Sequence, residues 1–205
     1  MDTRSHWENV YSTKTADEVS WFQAHATRSL AIIQQLLPDT AGRILDVGGG
    51  ASTLVDGLLE ANYSNLAVLD LSSSALEVAK NRLGPASDCV SWLQGDVTRL
   101  SLSKHSIDLW HDRAVFHFLT NEADRQSYIN TVLNSVKPGG HVIVATFAED
   151  GPEKCSGLPV RRYSATALHE EFGSSFMLLG HQKEVHQTPF NTSQSFVYCY
   201  CRVEH

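Results

Sequence analysis

At 205 residues the chain has the length of one domain, able to bury about 70% of its unfolded surface around one core and too short for two full domains. Hydrophobic residues make up 42% and charged residues 19%, which excludes a disordered chain. Sixteen Lys+Arg against 23 Asp+Glu give a formal charge of -7, which disfavours nucleic acid or anionic lipid as a partner.

Residues 1–25 hold four aromatics, Trp7, Tyr11, Trp21 and Phe22, and no signal-peptide core. The spacing of Leu30, Ile33, Leu36 and Leu37 then predicts a helix over 26–37, closed by Pro38-Asp39. A first strand is expected over 43–47, a helix over 53–61 and a second strand over 66–70. Ser74 and Glu77 have capping-box spacing at the start of a helix that runs to 83. Third and fourth strands are expected over 89–93 and 107–111. A helix over 124–136 stops at Lys137-Pro138-Gly139-Gly140, before a fifth strand over 141–147. A helix over 165–172 and two strand-like runs, 176–187 and 195–203, end the chain as an antiparallel hairpin on the edge of a parallel sheet. No repeat or linker divides this order, so the expected fold is one α/β, doubly wound domain with helices on both faces of a mainly parallel sheet.

The apolar runs are far shorter than the roughly 20 residues of a membrane helix, so no membrane partner is expected. Four cysteines, at 89, 155, 199 and 201, lack the spacing of a zinc or redox pair, and a cytoplasmic location with reduced thiols is expected. Ten scattered histidines include no H-x-x-x-H pair, and no metal is expected.

The segment Ile44-Leu45-Asp46-Val47-Gly48-Gly49-Gly50-Ala51-Ser52 runs from an apolar strand into three glycines and a helix, a turn against which a ligand can lie. Thr53 stands where a dinucleotide fingerprint wants a further glycine. Asp46 places a carboxylate beside the turn, which repels a pyrophosphate and suits a ligand carrying an ammonium group. Asp70 ends the second strand, where a carboxylate can accept both ribose hydroxyls, and Gln94-Gly95-Asp96-Val97 follows the third with a second acid and an apolar side chain.

LDVGGG, Asp70, Gly95-Asp96 and Val136-Lys137-Pro138-Gly139-Gly140 together resemble the class I S-adenosylmethionine-dependent methyltransferases over residues 43–147. The resemblance implies a Rossmann-like, seven-stranded sheet of order 3-2-1-4-5-7-6 with the last strand antiparallel, and S-adenosyl-L-methionine as cofactor, released as S-adenosyl-L-homocysteine. It places Gly48, Gly49 and Gly50 under the methionine moiety, Asp46 at its amino end, Asp70 and Leu71 at the ribose, and Gly95, Asp96 and Val97 at the adenine. Tyr11 and Trp21 resemble a lid over the cofactor, and His111, at a strand end, either touches it or packs.

For methyl transfer, Asp112 and Arg113 at the end of the fourth strand are the expected catalytic residues, and His117 is a candidate base for an acceptor that arrives protonated. The stretch 148–163 reads as a substrate loop in which Cys155 could meet a soft acceptor and Arg161 and Arg162 an acceptor carboxylate. A small-molecule acceptor fits a chain with no substrate domain. A protein lysine remains an alternative, as does a non-catalytic binding module. The chain is expected to act as a monomer or homodimer.

Overall fold

Strands that end up covered by helices on both faces need apolar side chains on both, and 44–47, 66–70 and 107–113 meet that demand with Ile, Leu, Val and Trp. A computed structural model describes residues 3–15 and 18–204. Helices α1 (Thr3–Thr13) and α2 (Thr27–Leu36) precede β1 (Ile44–Val47), α3 (Leu54–Glu60), β2 (Leu66–Asp70), α4 (Ser73–Leu83) and β3 (Val90–Gln94). Next come β4 (Ile107–Arg113), α5 (Glu122–Ser135), β5 (Val136–Phe147), a two-rung ribbon of β6 (Lys154–Cys155) and β7 (Leu158–Pro159), α6 (Ala165–Phe172), β8 (Phe176–Gln187) and β9 (Ser193–Val203).

The seven-stranded sheet has the order β3-β2-β1-β4-β5-β9-β8. Pairings from β3 across to β5 are parallel, and β9 is antiparallel to both of its neighbours. Counted by rank among the sheet strands, this is the expected 3-2-1-4-5-7-6. Alternation splits the interior in two: Leu45, Val47 and Trp110 pack with Tyr128 and Leu168 on one face, and Ile44, Val68 and Leu109 with Ile33 and Leu54 on the other. No helix among the described residues is long and apolar enough to cross a membrane.

Three local expectations change. Strand β4 runs two residues past its expected end, because Asp112 and Arg113 keep pairing with Val144 and Ala145 of β5. Strand β5 starts at Val136 with no intervening loop; the Pro-Gly-Gly stretch is absorbed as a register shift, with Gly139 at φ +79. The capping box at Ser74 and Glu77 does not form. Ser72 is the cap of α4, accepting from Ala75 N at 3.1 Å, and Glu77 pairs with Lys80.

The acid at that helix start comes from α1. Glu8 Oε1 accepts from Ser73 N at 2.6 Å and Ser73 Oγ at 2.9 Å, and Oε2 from Ser72 Oγ and Ser74 N, both at 3.1 Å. A carboxylate at a helix N-terminus meets free N–H groups and the positive end of the dipole. Burial works against the charge, but the serine donors outweigh it and hold the Glu8 carboxyl at about 2. Helix α1 is thereby fastened to α4, while Trp7 packs edge-on against Trp21 and Phe118 at 5.6 and 5.2 Å.

Four residues expected at the site are taken up by the fold. Asp112 is fully buried and caps the turn after β4, accepting from Val115 N at 2.9 Å, Phe116 N at 3.1 Å and Tyr128 Oη at 2.7 Å. Burial lifts its carboxyl to about 6 against those donors. His117 is also fully buried, its Nδ1 accepting from Phe147 N at 3.3 Å between the rings of Phe118 and Phe147. Burial, with the charge of Arg113, pulls it down to about 3, which keeps the ring neutral. Arg161 pairs with Glu171 at 2.8 Å, and Arg162 with Glu153 at 3.2 Å and the Gly151 carbonyl at 3.1 Å. Both tie the loop to its surroundings.

Two outcomes follow. Glu8→Gln raises amide exchange in α1 several-fold at pH 7. Because the folded pKa lies below the ordinary 4.5, the stability difference from the natural chain holds above that value and disappears as the pH falls towards 2, which denaturant titration at several pH values measures. Asp112→Asn costs roughly 1.5–3 kcal/mol in the same titration, as expected when charge-assisted hydrogen bonds are broken in the interior.

Candidate active site

The C-terminal ends of β1, β2, β3 and β4 open on one crevice of about 580 Å3, roofed by α1. Such strand ends, at the point where the sheet order reverses, are where open α/β sheets hold ligands. Its floor carries Gly48, Asp70, Leu71, Gly95, Asp96 and Val97, its roof Trp7, Tyr11 and Trp21, and its far wall Arg113, Phe118 and Cys155. Behind the glycine turn lies a recess of about 50 Å3 lined by Asp46, Gly48, Gly49, His111, Ser29 and Arg113, with Tyr11 and Trp21 bordering both spaces. Asp112, His117, Arg161 and Arg162 border neither.

The glycines are required by their neighbours. Gly48 sits at φ +69, where an L side chain is strained, and a Cβ there would lie 2.1 Å from Val115 Cγ2. The other two make room for carboxylates: a Cβ on Gly49 would fall 2.2 Å from Asp46 Oδ2, and one on Gly50 would fall 2.7 Å from Asp70 Oδ2. Gly50 borders neither space and serves from behind, donating its N–H to Asp70 Oδ2 at 3.0 Å.

Asp70 Oδ1 accepts from Ser72 N at 2.8 Å. Burial lifts this carboxyl to about 6, the nearby Asp46 adding to the shift and the backbone N–H groups opposing it. Asp96 is exposed and accepts from Thr98 N and Thr98 Oγ1 through Oδ1 alone, at 2.9 and 2.7 Å, beside the buried Val97. Asp46 is 3% exposed; its Oδ1 accepts from His111 Nδ1 at 2.7 Å, and its Oδ2 has no hydrogen-bond partner. A carboxylate only accepts, so Nδ1 of His111 carries a proton, and Ser29 Oγ lies 2.9 Å from Nε2.

Cys155 borders the crevice from β6 but is 3% exposed, and burial pushes its thiol up to about 12. That shift holds it as a protonated, polarisable thiol at the wall of the crevice. Tyr11 Oη accepts from Trp21 Nε1 at 3.1 Å, and burial raises the phenol well above its ordinary value. His6 of α1 and Ser156, beside β6, lie 3.2 Å apart, so the roof and the loop touch across the crevice.

Sequence reasoning missed Ser29, Glu184, Phe196 and Tyr198. Arg113 Nε donates to Tyr198 Oη at 3.0 Å, its guanidinium lies 4.1 Å over the Phe196 ring, and Nη2 is 3.6 Å from Glu184 Oε2. Those partners come from the terminal hairpin, 71 to 85 residues away, and no local spacing announces them.

Residues 44–140 match the family described as "Methyltransferase domain". No curated protein sequence matches the chain. Among solved structures, one from Burkholderia thailandensis, a 1,6-didemethyltoxoflavin-N1-methyltransferase with bound 1,6-didemethyltoxoflavin and S-adenosylhomocysteine, is similar at 17% identity and TM-score 0.74, over 98% of this chain and 87% of that one. An S-adenosylmethionine-dependent methyltransferase from Methanosarcina mazei is similar at 15% identity and TM-score 0.70, over 84% and 97%. A structure described as conversion of a disulfide bond into a thioacetal group during echinomycin biosynthesis is similar at 15% identity and TM-score 0.76, over 98% and 92%. Sheet order, glycine turn and matched segment agree: residues 44–140 match a methyltransferase domain, and the chain has the seven-stranded α/β fold seen in S-adenosylmethionine-dependent methyltransferases.

Proposed function

We propose that the chain binds S-adenosylmethionine across the crevice and recess and transfers its methyl group to a small-molecule acceptor. The observation that carries the reading is the set of acids that Asp46, Asp70 and Asp96 present on three successive strand ends beside one glycine turn. Their donor chemistry fits the cofactor. Each Asp70 oxygen accepts one backbone N–H and keeps a lone pair for a ribose hydroxyl. Asp96 Oδ2 accepts no hydrogen bond from the described residues, with Arg99 Nε 3.9 Å away, and suits the adenine amine, with Val97 and Leu71 against the ring. Asp46 Oδ2, buried and unpartnered, suits an ammonium group.

When bound, the cofactor supplies an electrophilic methyl on a sulfonium, and its transfer disperses charge rather than creating it. The chain's part is therefore alignment and exclusion of water. Trp7, Tyr11 and Trp21 close the crevice from above, and the contact of His6 with Ser156 closes it towards the loop. Tyr11 and Cys155 stay protonated, so the reading gives them packing roles, and an acceptor that brings its own lone pair suits this end.

The roof also favours a small acceptor over a lysine on a folded partner, which would have to displace α1 and its Glu8 fastening. The similar structure from Burkholderia thailandensis, with its bound 1,6-didemethyltoxoflavin, supports the same preference. All four cysteines are free, which accords with a cytoplasmic site of action.

Calorimetry tests the reading. S-adenosylmethionine and S-adenosylhomocysteine bind and NAD does not; binding of NAD alone would sink it. Asp70→Ala weakens S-adenosylhomocysteine by more than about tenfold, the scale of two hydrogen bonds to a charged acceptor. Because the Asp70 carboxyl titrates at about 6, affinity in the natural chain is full above that pH and declines as the pH falls through it. Release of S-adenosylhomocysteine with small phenols, thiols or heteroaromatic amines, and not with lysate proteins, identifies the acceptor class.

A further inference from the structure

Four aromatic side chains border the crevice, Trp7, Tyr11, Trp21 and Phe118, and all four are only half-buried. They form one contiguous group. Trp7 meets Trp21 and Phe118 edge-to-face at 5.6 and 5.2 Å, and the Tyr11 and Trp21 rings lie 6.4 Å apart at 76°. The cofactor reading asks none of them for a hydrogen bond, since it runs along the floor from Asp46 past Gly48 to Asp70 and Asp96. Aromatic surface left open on a concave wall is the usual mark of an apolar ligand. One polar group stands among the rings. Tyr11 Oη accepts from Trp21 Nε1 at 3.1 Å, which fixes one side of the hydroxyl, and its own proton meets no acceptor among the described residues. A donor that has lost water and gained no acceptor is costly, and it is tolerated where a ligand completes it. Tyr11 also borders both the crevice and the recess. With the amino acid end of the cofactor in the recess and its ribose in the crevice, the sulfonium that joins them comes to lie beside Tyr11.

We infer that the methyl acceptor is a flat, uncharged aromatic or heteroaromatic molecule held against Trp7, Trp21 and Phe118, with a heteroatom that accepts a hydrogen bond from the Tyr11 hydroxyl. The inference rests on the cofactor reading above and narrows its small-molecule acceptor to one shape and one polar contact. It gives Tyr11 a donor's role besides packing. In the transfer, a lone pair of the acceptor other than the one facing Tyr11 forms the new bond to the methyl carbon. The carbon–sulfur bond breaks, its electron pair stays on sulfur as a thioether lone pair, and any proton on the attacking atom passes to solvent. Rings set edge-to-face also form cages for ammonium groups. An ammonium acceptor, however, has no lone pair until a base takes its proton, and Tyr11 and the neighbouring Cys155 are both protonated.

Equilibrium dialysis of the chain loaded with S-adenosylhomocysteine tests this with matched probes. 2-Naphthol is flat and carries a hydroxyl oxygen, naphthalene is flat without one, decahydro-2-naphthol has the hydroxyl on a puckered frame, and tetramethylammonium is a ligand for a cage. The natural chain binds 2-naphthol about tenfold more tightly than decahydro-2-naphthol, the scale of one or two aromatic pairs. Tyr11→Phe weakens 2-naphthol about three- to tenfold, the scale of one hydrogen bond, and leaves naphthalene within about twofold. Phe118→Leu, which keeps an apolar wall and removes a ring, lowers the preference for the flat alcohol to about threefold or less, and Trp7→Leu does the same if Phe118→Leu fails to fold. Equal affinity for the flat and puckered alcohols, tighter binding of tetramethylammonium than of 2-naphthol, or equal effects of Tyr11→Phe on 2-naphthol and naphthalene overturns the inference. A chain that binds S-adenosylhomocysteine and none of the probes overturns it while leaving the cofactor reading intact, and one that binds no S-adenosylhomocysteine defeats the cofactor reading itself.

Discussion

Parallel strands bring their C-terminal ends to one rim of the sheet, and here three strands, β1, β2 and β4, set a carboxylate there that is no more than 7% exposed. A charge in the interior must be hydrogen-bonded, paired or neutralised, and much of the architecture around the crevice supplies those partners. Asp112 is met by its own turn and by Tyr128, Asp70 by the glycine turn and the start of α4, and Asp46 on one side only, by His111. One residue type at one level of the sheet therefore does different work according to how completely its neighbours satisfy it. The satisfied acid is scaffold; the acids that retain accepting capacity border the recess and the crevice.

The roof obeys a related constraint. Helix α1 has no strand to extend and a mostly polar sequence, so it is held by aromatic packing and by the seat of Glu8 on α4. That seat lies two to four residues beyond Asp70, which couples the covering of the crevice to the helix that begins beside that acid. The loop on the opposite side is tied down by Arg161 and Arg162, whose guanidinium groups pair with Glu171 and Glu153. Charges that look available in the sequence are used to build the walls.

What the sequence reveals well is what depends on near neighbours. Apolar runs, the glycine turn and the acids at 46, 70 and 96 could all be read because strand alternation and turn chemistry act within a few residues. Expectations failed where partners lie far apart. Asp112 looks like a reactive strand-end acid until Tyr128, 16 residues on, fills it, and His117 looks like a base until Phe147 buries it. The capping box at Ser74 and Glu77 has correct spacing, yet Ser72 takes the cap and a glutamate 64 to 66 residues earlier takes the neighbouring donors. Strand β4 outran its expected end because β5 continues beside it, which no local pattern in 107–113 contains.

The placement of β9 has a consequence for how the molecule is made. In the sheet it lies between β5 and β8, so β8 has no sheet neighbour until β9 docks, although it is synthesised first. Residues 176–187 join the sheet only through that segment, and Met177, Leu178 and Leu179 remain exposed even once it is paired. Because Tyr198 and Phe196 ride on that same segment, the bracket around Arg113 is assembled in the step that completes the sheet. A chain folded only as far as β8 has its glycine turn and its acids but an Arg113 without its Tyr198 and Phe196 neighbours.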